Sequence, residues 1–378
     1  MTRRVRETEA KILRIIRENE LISRADISRR SGLSKPVVST IVRDFIAEGV
    51  VIEAKEGPSS KAGGKRPVLL SFVPSYRHVL GIDIGGSNLT AVLSDLNGKV
   101  VRSNRFSTRS IKNEDELLGA VCKAVDSILD IPHESILGVG VGVPGTVDPE
   151  TGMVFHMPAF GLKNVNLRPK LQQRLDLPVF IANDVTLHAL GEMWIGAAKN
   201  CRNVFLVSLG TGTGGGIIVN KLLYEGSNGL AGEVGYMITD WSKEKDMSFA
   251  FGSLESWFSG YAFERILARF DSGSTVRQLF EEVDTNERFR EIVSSACEHL
   301  AVMLANTISL LDPEIVVING GIGYNQFDRI MRFIMPLLEK VIPEEILSKV
   351  SFRRGVLAEF GAAIGSVCYV QRKSFMEV

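Results

Sequence analysis

The sequence predicts an α/β protein with a small helical head and a body of two similar lobes, and three observations carry that prediction. Apolar runs twice end in a glycine-rich turn and return as a second strand, at 78–93 and at 204–219. Three short helical segments and two strands fill the first 72 residues. Charge is unevenly divided: residues 1–75 hold 15 Lys/Arg and 9 Asp/Glu, against 29 and 35 in the rest. A basic head on an acidic body points to a polyanionic partner for the head alone.

At 378 residues, with 45% hydrophobic and 23% charged residues, the chain suits two or three globular domains. It shows neither a membrane-length apolar run nor a basic-then-apolar leader, so a cytoplasmic protein with no membrane partner is expected. Cys122, Cys201, Cys297 and Cys368 are far apart and form no CxxC pair. Buried thiols are expected rather than disulfides or a thiolate metal site.

In the head, the stretch 7–19 places Ile12, Leu13, Ile15 and Ile16 on one apolar face. Ser23 caps a second helix, 24–31, and Gly32 ends it. Ser34 caps a third, 35–48, on which Val38, Ile41, Val42 and Phe45 recur at helical spacing and face a core. Lys35, Ser39, Thr40 and Arg43 then point outward, with hydroxyls and cations suited to phosphates and base edges in a major groove. Val37 suits a thymine methyl. Strands at 50–54 and 68–72 flank a loop, KAGGKR, whose Lys65 and Arg66 suit a minor-groove arm. A helical protein-interaction domain with merely solvated charges is the competing reading. The segment resembles the winged helix-turn-helix heads of bacterial regulators.

The body opens with HVLGIDIGGSNLTAVLSDLNGKV, read as a β-meander. Asp83 ends its first strand, and the turn of Gly85, Gly86 and Ser87 brings backbone N–H groups within reach of a phosphate. A helix is expected over 115–129, a buried strand over 135–143, and an irregular loop over 156–166. A strand at 179–182 leads to Asn183 and Asp184, then a helix from 185 to 196. Asp184, at a strand end beside a helix start, suits acid–base chemistry, and an Asx N-cap is the competing reading. His188, one turn on, reads as a partly buried histidine. In VFLVSLGTGTGGGIIV the tip Thr211, Gly212 and Thr213 offers N–H groups and hydroxyls to phosphate. IVVINGGIG ends a further strand at Asn319, Gly320 and Gly321, a candidate bed for adenine. Helices are expected at 261–270 and 293–311, and a small-residue helix over 358–370 packs back on the first lobe.

Taken together, Asp83–Asn88, Gly142–Asp148, Asn183–Asp184, Ser208–Gly216, Gly232–Gly235, Gly252–Glu255 and Val317–Gly321 resemble the ROK family of repressors and sugar kinases. With the winged head, the whole resembles the family's transcriptional regulators. The resemblance implies an actin-like (ribonuclease H-like) two-lobed ROK sugar kinase fold. Its divisions would be a DNA-binding domain at 1–75, a first lobe at 76–190 and 356–378, and a second lobe at 191–355. It also implies Asp184 as general base, with Asn183, Glu233, Tyr236 and Glu255 around a sugar. ATP phosphates would meet Gly85, Gly86 and Ser87 from one side and Thr211–Thr213 from the other, with Asp83 near Mg²⁺.

Two departures stand out. The family's usual histidine is Tyr236 here, and 237–255 holds no cysteine, so no zinc is expected. Trp241, Met247, Phe249 and Phe251 offer apolar packing instead. Ala159 and Leu162 stand where an asparagine and a tryptophan are usual. The expected function is a sugar-responsive transcriptional regulator of repressor type, a homodimer or higher homo-oligomer on operator DNA. The alternative is an ATP- and Mg²⁺-dependent sugar kinase for glucose or N-acetylglucosamine.

Overall fold

The computed structural model describes residues 7–58, 66–241, 253–270 and 273–375. In the head, α1 (Glu7–Arg17), β1 (Ile22–Ser23), α2 (Arg24–Ser31) and α3 (Lys35–Ala47) precede the wing strands β2 (Val51–Glu56) and β3 (Val68–Phe72). Ile12, Ile16, Ile27, Val38, Val42 and Leu70 meet in one core with no exposed surface, and Ile41 is half-buried at its edge. Ser23 caps α2 as expected, accepting from the Asp26 N–H at 3.2 Å. Ser34 occupies the N-cap position of α3 but makes no capping bond. Pro36 in the first turn presets the helical φ there instead. Strands β2 and β3 pair antiparallel as a wing, with Val51 opposite Phe72. Lys65 and the rest of the tip, 59–65, lie outside the described residues.

The first lobe runs through β4 (His78–Ile84), β5 (Asn88–Asp95), β6 (Val100–Ser107), α4 (Glu114–Asp126), β7 (Ile136–Val143), β8 (Thr146–Val147), β9 (Met153–Met157), β10 (Leu162–Asn166), α5 (Leu167–Leu175) and β11 (Val179–Asn183). Its sheet has the order β11-β7-β4-β5-β6. The irregular loop expected over 156–166 is instead ordered: β8, β9 and β10 form a small antiparallel sheet. Polar His156, Lys163 and Asn166 on its outer face hide the alternation, while Val154, Met157 and Val165 are buried.

Helix α6 (Asp184–Ile195) crosses to the second lobe, which begins with β12 (Val204–Leu209), β13 (Thr213–Val219) and β14 (Leu222–Leu223). It continues through α7 (Gly260–Phe270), α8 (Val276–Glu281), α9 (Glu287–Leu311), β15 (Ile315–Asn319), α10 (Gly320–Asn325), α11 (Phe327–Val341), α12 (Glu344–Leu347) and β16 (Ser351–Arg354). The sheet order β14-β13-β12-β15-β16 repeats that of the first lobe, antiparallel hairpin first and two parallel strands after. This is the duplication that the paired glycine hairpins predict. The chain then returns through α13 (Gly361–Phe375) to the first lobe. That helix starts three residues later than expected because Ala358–Phe360 forms a 3₁₀ turn.

Helix α13 lies unusually close to its neighbours. A Cβ added to Gly365 would lie 1.7 Å from the Leu187 carbonyl of α6, and one on Gly81 would lie 2.1 Å from the Ala363 carbonyl. Glycine at these contacts lets two helices and a strand pack backbone to backbone. Cys297 and Cys368 are buried, Cys122 and Cys201 half-buried, and all four are free thiols.

Candidate functional site

The site is built where strands of the first lobe end. Parallel pairing sets Asp83 of β4 opposite Gly142 of β7, and Gly142 opposite Ala182 of β11. Asp184 follows two residues later as the first residue of α6, beside Gly142. A Cβ on that glycine would lie 3.3 Å from the Asp184 Cα. Two carboxylates separated by a residue without a side chain thus face one cleft. The Asx N-cap is real but belongs to Asn183, whose Oδ1 accepts from the Thr186 N–H at 3.0 Å. Asp184 is left free of that duty. Asn183 also donates to the Gly145 carbonyl at 3.2 Å, so its amide is largely spent on local structure rather than offered whole to a ligand.

Burial dominates the chemistry of both acids. It pushes the Asp83 carboxyl up to about 6, although His188 and Arg105 pull it down. Its Oδ1 is buried without a hydrogen-bond partner. Asp184 is raised well above the usual carboxylate range by burial first and the Asp83 charge second, with Glu233 adding and the Val185 N–H opposing. Such a carboxyl stands nearer neutrality as a proton acceptor than an exposed aspartate.

The acids open on a cavity of about 480 Å³ lined also by Arg105, His188, Ser208, Asn319, Gly320, Gly321, Tyr324 and Glu359. Of the residues expected around ATP and Mg²⁺, Asp83, Gly320 and Gly321 line it. Gly320 has φ +82°, and a Cβ there would lie 2.6 Å from the Leu209 backbone. Any larger residue would be strained and would clash.

The two hairpin tips stand apart from that lining. Half-buried Gly85 and exposed Gly86 and Ser87 form a turn held by Thr108, whose N–H donates to Ser87 O at 3.0 Å and whose hydroxyl donates to Gly85 O at 2.9 Å. In the second tip the Thr213 N–H donates to Glu255 Oε2 at 2.9 Å and its hydroxyl to the Phe258 carbonyl. Thr213 is buried. The expectation that its N–H and hydroxyl face a phosphate is corrected: a carboxylate of the protein already takes the N–H. Thr211 and Gly212 remain exposed beside it.

Glu233, Tyr236 and Glu255 lie close enough to feel one another's charge, but none of them lines that cavity and Tyr236 is 64% exposed. Burial and then Glu255 raise the Glu233 carboxyl, while burial, Glu233 and Glu255 together raise the Tyr236 phenol. Trp241, expected to supply apolar packing here, is instead 74% exposed, and Met247, Phe249 and Phe251 lie outside the described residues.

Sequence reasoning missed one acid. Glu192 has no exposed surface. Its Oε1 accepts from the N–H groups of Val356 (2.8 Å) and Leu357 (2.9 Å), and its Oε2 from Ala197 (2.7 Å). Both chain crossings between the lobes are therefore pinned to one carboxylate. Burial would raise its pKa, but the bonds from His188, Leu357 and Ala197 outweigh that and leave it below its usual value. His188 is not isolated: its Nε2 lies against the Asn319 amide and 3.7 Å from Glu192 Oε1. The available signal was the i, i+4 His–Glu pair inside an otherwise apolar helix. Arg105, on edge strand β6, carried no signal at all.

On the head, α3 presents Lys35, Ser39, Thr40 and Arg43 to solvent, with Val37 42% exposed between them. Arg66, two residues before the second wing strand, is also exposed.

Residues 79–373 match the ROK family model. The chain belongs to the ROK family. Residues 5–52 of this ROK protein match the winged helix-turn-helix DNA-binding model. It is 31% identical over 331 residues to the xylose repressor of Caldicellulosiruptor bescii, covering 83% of this chain and 82% of that one. With the DNA-binding transcriptional dual regulator NagC of Escherichia coli it shares 27% over 380 residues, 96% and 92% of the two chains. A crystal structure of a ROK family transcriptional regulator, a homolog of the E. coli MLC protein, superposes with a TM-score of 0.82 at 21% identity, covering 97% and 96%. The fold is thus a winged helix-turn-helix head on a ROK body.

Proposed function

We propose that this ROK protein is a sugar-responsive transcriptional repressor. The observation that carries the reading is the exposed hydroxyl-and-cation face of α3, held on a chain whose body sets Asp184 on a cavity and brings the charge of Glu233 to bear on it, and that of Glu255 on Glu233. The α3 face suits bases and phosphates in a major groove, and Arg66 marks the wing's approach to a minor groove. The carboxylates suit the hydroxyls of a polyol, because a missing hydroxyl leaves a buried acceptor unpaired. The names of its relatives, a xylose repressor and NagC, support an operator as DNA partner and a sugar as effector. A homodimer would place two α3 helices on half-sites one DNA turn, or a multiple of it, apart. The test is selection of operator DNA from a random pool, followed by titration with D-xylose, D-glucose and N-acetylglucosamine. A sugar that changes operator affinity and raises Tm supports the reading; no enriched sequence would overturn it.

One observation favours a second activity. Asp83 Oδ1 is buried without a partner beside Asp184 and the open face of Gly321, which fits a hydrated divalent cation with a nucleotide. Asp83 would hold Mg²⁺, Gly320 and Gly321 would border the nucleotide, and Asp184 would take the proton of a sugar hydroxyl. Bound ATP would supply the phosphoryl group. ATP turnover with the same sugars, lost in Asp184→Asn, is the measurement that establishes it.

A further inference from the structure

The head and body meet at a joint whose chemistry is unlike the rest of the core. Arg17, the last residue of α1, donates from Nη2 to the Leu96 carbonyl of the β5–β6 turn (2.8 Å) and to Gln371 Oε1 of α13 (2.7 Å). Its guanidinium lies 5.1 Å above the Phe72 ring. Phe72 belongs to the head's last strand, yet it also packs into the body's cluster with Val367 and Val370 of α13. All of these partners are neutral, and burial pulls the Arg17 pKa down. Beside them the buried Gln371 Nε2 has no hydrogen-bond partner. A desolvated cation without a carboxylate among the described residues, and an unsatisfied amide, make this contact costly to keep closed. Opening it would rehydrate both groups. The joint therefore has the composition of a releasable contact rather than a permanent one.

The same helix reaches the cleft at its other end. Ala358 and Glu359, in the turn before α13, and Ala362, in its first turn, line the cavity beside Asp83 and Asp184. Fifteen residues of helix span about 22 Å from there to its C-terminal end. Ala358 has φ +46°, a left-handed conformation unusual for a residue with a side chain. The two residues ahead of it, Val356 and Leu357, hang on Glu192. Along its length α13 has no slack, because its backbone touches α6 and β4 through Gly365 and Gly81. A displacement at the cleft end must move the helix as a body instead of being absorbed by side chains.

We propose that α13 is the relay between cleft and head, with Arg17–Gln371 as its head-side coupling, so that a sugar in the cleft shifts the head between docked and released positions. The relay rests on the sugar-responsive reading above.

Hydrogen exchange on the full-length protein tests it, with the Leu96 amide as reporter, since that N–H donates to the Pro74 carbonyl across the junction at 3.1 Å. Without sugar, Arg17→Gln and Gln371→Ala should each speed exchange at Leu96 roughly tenfold, the loss of one hydrogen bond to a charged group. The segment 179–184 should stay unchanged. Two variants on opposite sides of the joint guard against one simply unfolding the head. No change in either overturns the joint. Next, D-xylose, D-glucose and N-acetylglucosamine are added in turn. For a sugar that raises Tm, wild type should show altered exchange at Leu96, and both variants should lose that response while keeping the Tm shift. A Tm shift with no response at Leu96 in wild type overturns the relay and leaves the sensor reading standing. If none of the three sugars moves Tm, it is the effector reading for these sugars that fails, and the sugar-free comparison still decides the joint.

Discussion

At the scale of single residues, the Asp83 carboxyl is the clearest source of pH dependence. Its folded pKa of about 6 lies above the ordinary 3.8, so the folded state binds this proton more tightly than the unfolded chain does. Its contribution to stability is fully present below about pH 4 and is lost as pH rises through 6. Asp83→Asn should therefore stabilise the protein by about 1–3 kcal/mol at pH 7.5 and by almost nothing at pH 4. Paired melting curves at the two pH values measure the difference. Glu192 has the opposite sign: its lowered pKa contributes stability above the usual glutamate range, which is lost as pH falls below it. Glu192→Ala strands three backbone N–H groups at the lobe crossings and should cost about 3–5 kcal/mol, read as a lower midpoint in urea. Asp83 and Asp184 were legible in sequence because each ends a strand at a glycine or a helix start. Glu192 was not, because its partners lie 5 and about 165 positions away.

At the scale of elements, helices read well wherever capping and periodicity agreed. The core residues Val38, Val42 and Phe45 of α3 are buried as its spacing requires. The exposed side of that helix sets the DNA prediction. Arg43→Ala should weaken operator binding about tenfold and flatten the slope of log affinity against log salt by about 1 if Arg43 meets a phosphate. Fluorescence anisotropy over a salt series measures both. The α6–α13 contact leaves no room for a methyl group, so Gly365→Ala should destabilise by about 3 kcal/mol with the two lobes pushed apart. Calorimetry on the purified variant tests this. The hairpin of β9 and β10 went unread because half of its alternation is polar on both strands.

For the whole molecule, the repeated sheet order places two glycine hairpins in equivalent positions of two lobes, and the crossing helices α6 and α13 bind them together. Ligand that bridges such lobes stabilises the folded chain by mass action. A sugar effector at roughly one hundred times its Kd should add about 2.7 kcal/mol, and Glu233→Gln with Glu255→Gln should remove most of that gain without removing the fold. Thermal shift against a sugar panel reads both outcomes. Among the described residues no helix is long and apolar enough to cross a membrane.

Local chemistry written along the chain determined the winged head, the duplicated strand–glycine–strand units, and the candidate acids Asp83 and Asp184, whereas Glu233 and Glu255 follow only from the resemblance to the ROK family. Periodicity, caps and glycine turns act between neighbours, and neighbours are what a sequence displays. Only the tertiary structure decided how those groups are used. It gave the N-cap to Asn183 and so freed Asp184. It turned the Thr213 N–H toward Glu255, and it joined Arg17 to Gln371 across 354 positions. Such pairings depend on strand order and helix packing, where hydrogen-bond partners are set by distance in space and leave no periodic trace along the chain.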